Sequence, residues 1–371
     1  MNRRLRGAGL VGIVLLLLLA LIIGCGEKQT APTSPQPSAK AEEWTLDNPL
    51  FKPAIAVQEQ NTPYLMKNAE VVGTAVTLTE DGQPAILVLV KTGALQRGPG
   101  GIPLTLENLP VIVEVTGEIR PMKTTTPTID HKAKQTPPIQ LGTSGGWRYD
   151  LANGYCCGGT LGSMIQKGGS KYILSNYHVL EADIVSGGNN RVATTGDPVV
   201  QPGLIDIGCV ASNGQDVATL EVYHSLPNNN VDAAIAKIIT GMVDANGAIL
   251  EIGTLSASTV AAAVNQAVKK SGRTTGLTRS KVSGLNATVS VAYDNECAGS
   301  AAFTKTFTGQ IIITNRASKF LNSGDSGSLM VEDISTNPRA VGLLFAGGSS
   351  TAVANPIDQV LSFFGATMVG N

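Results

Sequence analysis

Apolar residues in this chain fall in short runs separated by glycine, asparagine and serine, a pattern that favours many short strands over long helices. Residues 71–78 and 85–90 flank Glu80-Asp81-Gly82-Gln83, and the Asp-Gly pair predicts a hairpin. Residues 109–115 form a third strand. Alternation predicts strands at 287–293 and 309–314, while 172–174, 328–331 and 341–348 read as short apolar strands. Residues 53–68 carry Ile55, Val57, Tyr64, Leu65 and Met66 at partly helical spacing. Residues 355–363, with Pro356 near the first turn, predict a closing helix. The Ser- and Thr-rich apolar run 255–268 is compatible with a helix or with irregular chain.

These elements divide the chain. Residues 51–120 are expected to form a small α+β domain, a helix packed on a short antiparallel sheet with a modest core. Its role is not written in the residues; an inhibitor, a folding aid and a spacer all fit. Residues 121–145, with Thr124-Thr125-Thr126-Pro127 and Pro137-Pro138, read as a linker. Residues 146–371 form the main domain. With 42 glycines and 4% aromatic residues in the chain as a whole, that domain is expected to be mainly β.

Candidate chemistry centres on Gly324-Asp325-Ser326-Gly327. A serine hydroxyl is a poor nucleophile until a base takes its proton, so the motif needs partners. His178 follows an apolar strand and a Ser-Asn turn, whereas His131 lies in the linker and His224 precedes a polar loop. Asp232 follows Asn228-Asn229-Asn230 and opens an apolar strand; Asp216 is its rival. The order His, Asp, Ser is that of chymotrypsin and differs from that of subtilisin and of the α/β-hydrolases. Gly324 lets the backbone turn so that the N–H groups of Gly324 and Ser326 point into one cavity as an oxyanion hole.

Gly159-Thr160-Leu161-Gly162, Asn176-Tyr177-His178-Val179, Asp232-Ala233-Ala234, Lys270-Ser271-Gly272-Arg273-Thr274-Thr275-Gly276-Leu277-Thr278 and Gly324-Asp325-Ser326-Gly327-Ser328 occur in that order. Together they resemble the trypsin-like serine peptidases related to the plant narrow-leaf protease and its bacterial relatives, over about residues 155–368. The resemblance implies a chymotrypsin-type double six-stranded β-barrel, here preceded by the small α+β domain. It gives His178, Asp232 and Ser326 the catalytic roles of a serine endopeptidase acting on protein or peptide, without a metal or organic cofactor. Residues 341–348 resemble the strand that binds substrate backbone, which makes Ala346, Gly347 and Gly348 candidate substrate-binding residues, the two glycines leaving an open wall. Phe320, six residues before the serine, disfavours a preference for Lys or Arg. The Gly-Arg-Thr-Thr-Gly block yields no chemistry and is expected to be a tight hairpin with Arg273 on the surface. No cleavage site before Gly159 supplies an amino terminus for Asp325, so that acid is expected to find another partner or stay solvated. Two alternatives remain on this fold: a lipoprotein that cleaves only its own linker, and a non-catalytic peptide-binding module.

Arg3, Arg4 and Arg6 precede the apolar run 11–23 and Gly24-Cys25, which reads as an export signal, 1–25. The small residue before Cys25 resembles a bacterial lipobox and favours lipidation of Cys25 over an uncleaved anchor, the run falling short of the ~20 residues that span a bilayer. Either reading places the chain at a membrane outside the cytoplasm, in the outer membrane and periplasm or at the cell surface, on a flexible tether, 26–50. Cys156, Cys157, Cys209 and Cys297 remain, an even number with three pairings. Adjacent Cys156 and Cys157 make simultaneous pairing strained if they sit in a strand, so one disulfide with two free or buried thiols is an alternative. With 27 basic and 28 acidic residues and no basic stripe, nucleic acid is not an expected partner.

Overall fold

The computed structural model describes residues 44–94, 97–98, 101–121, 130–152, 155–181, 193–293 and 303–371. Residues 1–25, expected to be an export signal and including Cys25, lie outside them, as do most of the expected tether and Cys297. Among the described residues no helix is long and apolar enough to cross a membrane.

The chain begins with α1 (Lys52–Leu65), β1 (Val71–Leu78), β2 (Pro84–Val90), β3 (Thr105–Leu106), β4 (Leu109–Val115) and β5 (Arg120–Pro121). Then come β6 (Thr143–Trp147), β7 (Leu151–Ala152), β8 (Tyr155–Cys156), β9 (Gly159–Leu161), β10 (Ser163–Lys167), β11 (Ser170–Ser175) and the single-turn helix α2 (Tyr177–Leu180). They are followed by β12 (Pro198–Gln201), β13 (Gln215–Glu221), β14 (Ala234–Ile238), β15 (Ala267–Gly272), β16 (Gly276–Tyr293) and β17 (Phe303–Thr314). The chain closes with β18 (Leu329–Glu332), β19 (Ala340–Gly347), β20 (Thr351–Pro356), α3 (Ile357–Phe364) and β21 (Thr367–Met368).

The fold is mainly β, and its two large sheets curl into barrels. In the first, β10, β11, β14, β13, β12 and β6 are neighbours in that order, and β6 pairs with β9. Only Gly162 separates β9 from β10, so they act as one bent strand and return the sheet to its start. In the second, β15, β18, β19, β20, β17 and β16 follow one another and β15 also pairs with β16. The expected double six-stranded arrangement is therefore present. The first barrel encloses Trp147, Leu161, Ile173, Leu174, Val217 and Ile235, all fully buried. The second encloses Val268, Val282, Ile313, Met330 and Leu344.

The amino-terminal elements do not stand apart. Residues 43–371 form one compact unit. β1 pairs with β16, continuing the second barrel's sheet outward through β2, β4 and β3. The β1–β2 hairpin matches its predicted limits, but β2 pairs with β4 in parallel, which makes this wing mixed rather than antiparallel. The apolar pattern of α1 is weak because its buried face is partly polar. Gln58 and Thr62 point inward, and Gln58 Nε2 donates to Thr74 Oγ1 at 2.8 Å, tying helix to strand. Asn286 of β16 donates to Gln58 Oε1 at 3.2 Å, so the buried amide is satisfied from the barrel side as well.

Residues 130–145 are not a free linker. Ile139 and Leu141 are fully buried in the first barrel's core, and the Ile139 N–H donates to Met242 O at 2.8 Å. His131 is also fully buried, between Gly142 O at 2.8 Å and Glu251 at 2.7 Å. Residues 255–266 are irregular rather than helical, their amides used singly, as in Val260 N to Ala340 O and Val264 N to Trp44 O. Cys156 and Cys209 form a disulfide, Cα to Cα 5.5 Å, and Cys157 is disulfide-bonded too. The adjacent cysteines are thus both disulfide-bonded, and neither is a thiol.

Candidate active site

Strand pairing brings His178 and Asp232 together. β11 and β14 run antiparallel with Ser175 opposite Ala234, so residues just after the one meet residues just before the other. Asn176 Nδ2 donates to Asp232 O at 2.7 Å and locks the two segments. The His178 ring then lies with Nδ1 2.6 Å from Asp232 Oδ2. Asp216, the rival acid, is instead ion-paired with Arg148.

Asp232 is fully buried, and the second barrel supplies much of what satisfies it. Tyr293, the last residue of β16, donates its hydroxyl to Oδ2 at 2.7 Å. The Asp232 N–H donates to Asn355 Oδ1 of β20 at 2.9 Å, and Asn355 Nδ2 donates to Gln310 Oε1 of β17 at 2.6 Å. Burial, together with the negative charge of Asp232, pushes the Tyr293 phenol well above the usual tyrosine range. It therefore stays a neutral donor.

Ser326 sits in a loop turned by Gly324 and Gly327, both with φ +93°, a conformation that favours glycine. The loop is pinned from barrel one, where the Thr160 N–H donates to Ser326 O at 2.8 Å and Thr160 Oγ1 donates to Gly324 O at 2.9 Å. A Cβ added at Gly159 would lie 2.6 Å from a Val179 methyl and 2.9 Å from Ser326 O. The residue after His178 and the carbonyl of Ser326 thus converge on one point. The Ser326 hydroxyl donates to Phe345 O at 3.2 Å, while His178 Nε2 is buried without a hydrogen-bond partner.

The Gly-Arg-Thr-Thr-Gly block turns out to be internal. Arg273 is 1% exposed and its guanidinium grips both oxygens of Asp206 at 2.5 Å, so the expected surface arginine is a buried one. The next two residues cradle Asp325. Its Oδ1 accepts the Thr274 N–H at 2.9 Å and the Thr275 N–H at 3.1 Å. Its Oδ2 accepts the Thr275 hydroxyl at 2.6 Å and the Asn322 N–H at 2.9 Å, with Lys270 Nζ 3.3 Å away. Lys270 and Asp325 are both fully buried. Burial draws the Lys270 ammonium below the usual lysine range, with Asp325 opposing it. Asp325 thus has a full set of partners inside the protein rather than staying solvated. The cradle escaped sequence reading because Asp206 and Asp325 lie 67 and 50 residues from the block's Arg273 and Thr275.

Glu181 caps α2 just after His178 and is fully buried. It accepts the N–H groups of Tyr223 at 3.3 Å and His224 at 3.1 Å, and His224 Nδ1 stands 3.8 Å away. Burial, with a smaller push from Asp232, raises its carboxyl from 4.5 to about 7.

The candidate substrate strand is not open. At Gly348 a Cβ would collide with the Thr116 carbonyl, and β5 pairs with β19 at Ala346 and Gly347. Phe320 is buried in the apolar cluster of the second barrel.

The sequence profile of the family described as the Nal1 C-terminal domain matches residues 226–355. No curated protein matches the chain. Solved structures similar to it include a glutamic acid specific serine protease described as using a histidine triad in substrate binding. That likeness has 22% identity and a TM-score of 0.40, covering 62% of this chain and 100% of the other. Thermobifida fusca protease A is similar at 21% identity and TM-score 0.40, over 63% of this chain and 99% of its own. Cellulomonas bogoriensis chymotrypsin is similar at 22% identity and TM-score 0.39, over 63% and 99%.

Two outcomes follow from the buried acids. Lys270→Met strands the Asp325 carboxylate and is expected to cost roughly 3–5 kcal/mol in denaturant unfolding; Lys270→Met/Asp325→Leu is expected to cost less than the single change. Glu181, near 4.5 when unfolded and about 7 when folded, binds its extra proton in the folded state between those values. Stability attributable to it therefore falls as pH rises from about 4.5 to about 7, by on the order of 3 kcal/mol, and then levels. Unfolding midpoints at pH 5 and pH 8 are expected to differ by less in Glu181→Gln than in the parent.

Proposed function

We propose that this protein is a serine endopeptidase that hydrolyses peptide bonds through Ser326, His178 and Asp232. The observation that carries the reading is the buried Asp232 carboxylate 2.6 Å from His178 Nδ1, beside a Ser326 loop held by glycines of left-handed conformation. Asp232 fixes the tautomer that leaves Nε2 as the base and stabilises the imidazolium that forms. Tyr293 and Asn355 hold the Asp232 segment in place.

At rest the Ser326 hydroxyl is turned to Phe345 O. Rotation of that hydroxyl toward Nε2 starts the reaction. Nε2 takes the proton as Oγ attacks the scissile carbonyl, and the N–H groups of Gly324 and Ser326 receive the developing oxyanion. The imidazolium then protonates the leaving amine, giving an acyl-enzyme on Ser326. Water, deprotonated by the same Nε2, releases the acid product. Ala346, Gly347 and Gly348 are proposed to carry the substrate backbone.

We also propose that Cys25 is lipidated and tethers the enzyme to a membrane outside the cytoplasm, a reading supported by residues 3–25 alone. Labelled palmitate is expected to enter the full chain and not Cys25→Ser; incorporation into both would overturn the anchor.

A fluorophosphonate probe is expected to label Ser326 in the parent and to fail in Ser326→Ala and His178→Ala. Asp232→Asn should lower the labelling rate by about three to four orders of magnitude. Tyr293→Phe, which removes one hydrogen bond to a charged group, is expected to slow it roughly tenfold. An unlabelled parent refutes the activated serine.

A further inference from the structure

We infer that residues 116–121 are a tethered occupant of the strand edge that an extended peptide must use to reach Ser326, so that the folded protein is held closed by its own chain. This rests on the peptidase reading above.

The edge is defined by where one ladder ends. β18 pairs with β19 through Leu329 and Leu343, and the register continues with Leu344 N to Ser328 O and Gly327 N to Leu344 O, both 3.0 Å. There the β18 side turns away into the Ser326 loop, but β19 runs on to Gly347 with its other side on β20. The side of residues 345–347 nearest Ser326 is thus an edge that β18 leaves uncovered, and its first group is Phe345 O, to which the Ser326 hydroxyl donates. An extended peptide whose carbonyl is to meet Ser326 must add a strand here.

β5 is that strand. It runs antiparallel to β19 with Arg120 opposite Gly347 and Pro121 opposite Ala346, so the chain advances toward Phe345 and Ser326. Three further attachments hold it. The Ser349 N–H donates to Thr116 O at 3.1 Å, with Thr116 backbone seated against Gly348. The Ala292 N–H donates to Ile119 O at 3.2 Å. Ile119 is fully buried in the apolar cluster that includes Tyr177, beside His178, and Phe345, beside Ser326. Glu118 and Arg120 pair with each other on the outside. One aliphatic anchor and a run of backbone bonds make a peptide-binding mode, supplied here in cis.

The arrangement also defines a substrate class. A competing peptide must fill the Ile119 site with a branched aliphatic residue two positions before the residue opposite Ala346. It must also displace a segment whose effective concentration is on the order of millimolar.

The full chain is compared with Ile119→Asp, which puts a charge into the apolar site, and with Ile119→Val, which keeps it filled; Ile119→Ser replaces the aspartate variant if that fails to fold. Fluorogenic extended peptides are expected to be cleaved at least about tenfold faster by Ile119→Asp than by the parent, with Ile119→Val close to the parent. A fluorescent peptide of the sequence of residues 115–121 is expected to bind Ile119→Asp and not the parent. If the fluorophosphonate labels the serine but neither cleavage nor peptide binding rises in Ile119→Asp, the occupied edge is refuted while the peptidase stands. If no form is labelled, the peptidase reading falls. Peptide binding then decides alone: selective binding to Ile119→Asp keeps the tethered strand, and equal binding or none removes it.

Discussion

A fully buried carboxylate, Asp232, is the constraint around which the two barrels meet. A lone charge in that position is untenable, because each desolvated ion costs several kcal/mol unless donors replace its water. Barrel one supplies the His178 ring, and barrel two supplies the Tyr293 hydroxyl at 2.7 Å and the Asn355 side chain that receives the Asp232 N–H. Asp232, carboxylate and backbone N–H together, is satisfied only when β11, β14, β16 and β20 all hold their places. Formation of the site and docking of the barrels are therefore one event. His178 and Tyr293, with ring centroids 6.0 Å apart, mark the seam.

Three buried acids near this seam are handled in three ways. Asp232 is met by neutral donors and an imidazole, which leaves its charge free to act on the histidine. Asp325 is met by Lys270, two threonine residues and a backbone amide, a closed set that fixes the Ser326 loop and gives the carboxylate nothing further to do. Glu181 has two backbone donors with the His224 ring 3.8 Å away, and burial raises its carboxyl toward neutrality. The same side-chain chemistry thus gives an orienting group, a structural staple and a titrating group, decided by what surrounds each carboxylate.

Local pattern was legible in the sequence wherever it was strict. The hairpin of residues 71–90, the strand at 109–115 and the closing helix are where alternation and turn residues place them. Of His178, Asp232 and Ser326, which the sequence put in that order, the structure pairs the first two directly, Nδ1 to Oδ2 at 2.6 Å. Long-range partners were not legible. Nothing local to Arg273 announces Asp206, and nothing local to Tyr293 announces Asp232, since sheet registers across the whole chain set both contacts. The wing looked independent because its helix and hairpin are complete as local patterns. Its attachment to β16 depends on the edge of an 18-residue strand whose amino-terminal half had no clear alternation. His131 looked like linker for the same reason, its partners being Gly142 O and Glu251.

That long strand has a further consequence. β16 serves β15 with its first residues, β17 with the rest, and β1 through Gly73–Val289, Thr74–Thr288 and Val76–Leu285. A gene shortened to begin at the first barrel would not yield a smaller version of the same fold. It would bare a run of main-chain donors and acceptors in the middle of β16, next to the apolar residues that α1 and β2 now cover, the kind of surface on which chains self-associate. Residues 71–115 are in this sense a permanent edge guard, and their removal would be read first as turbidity.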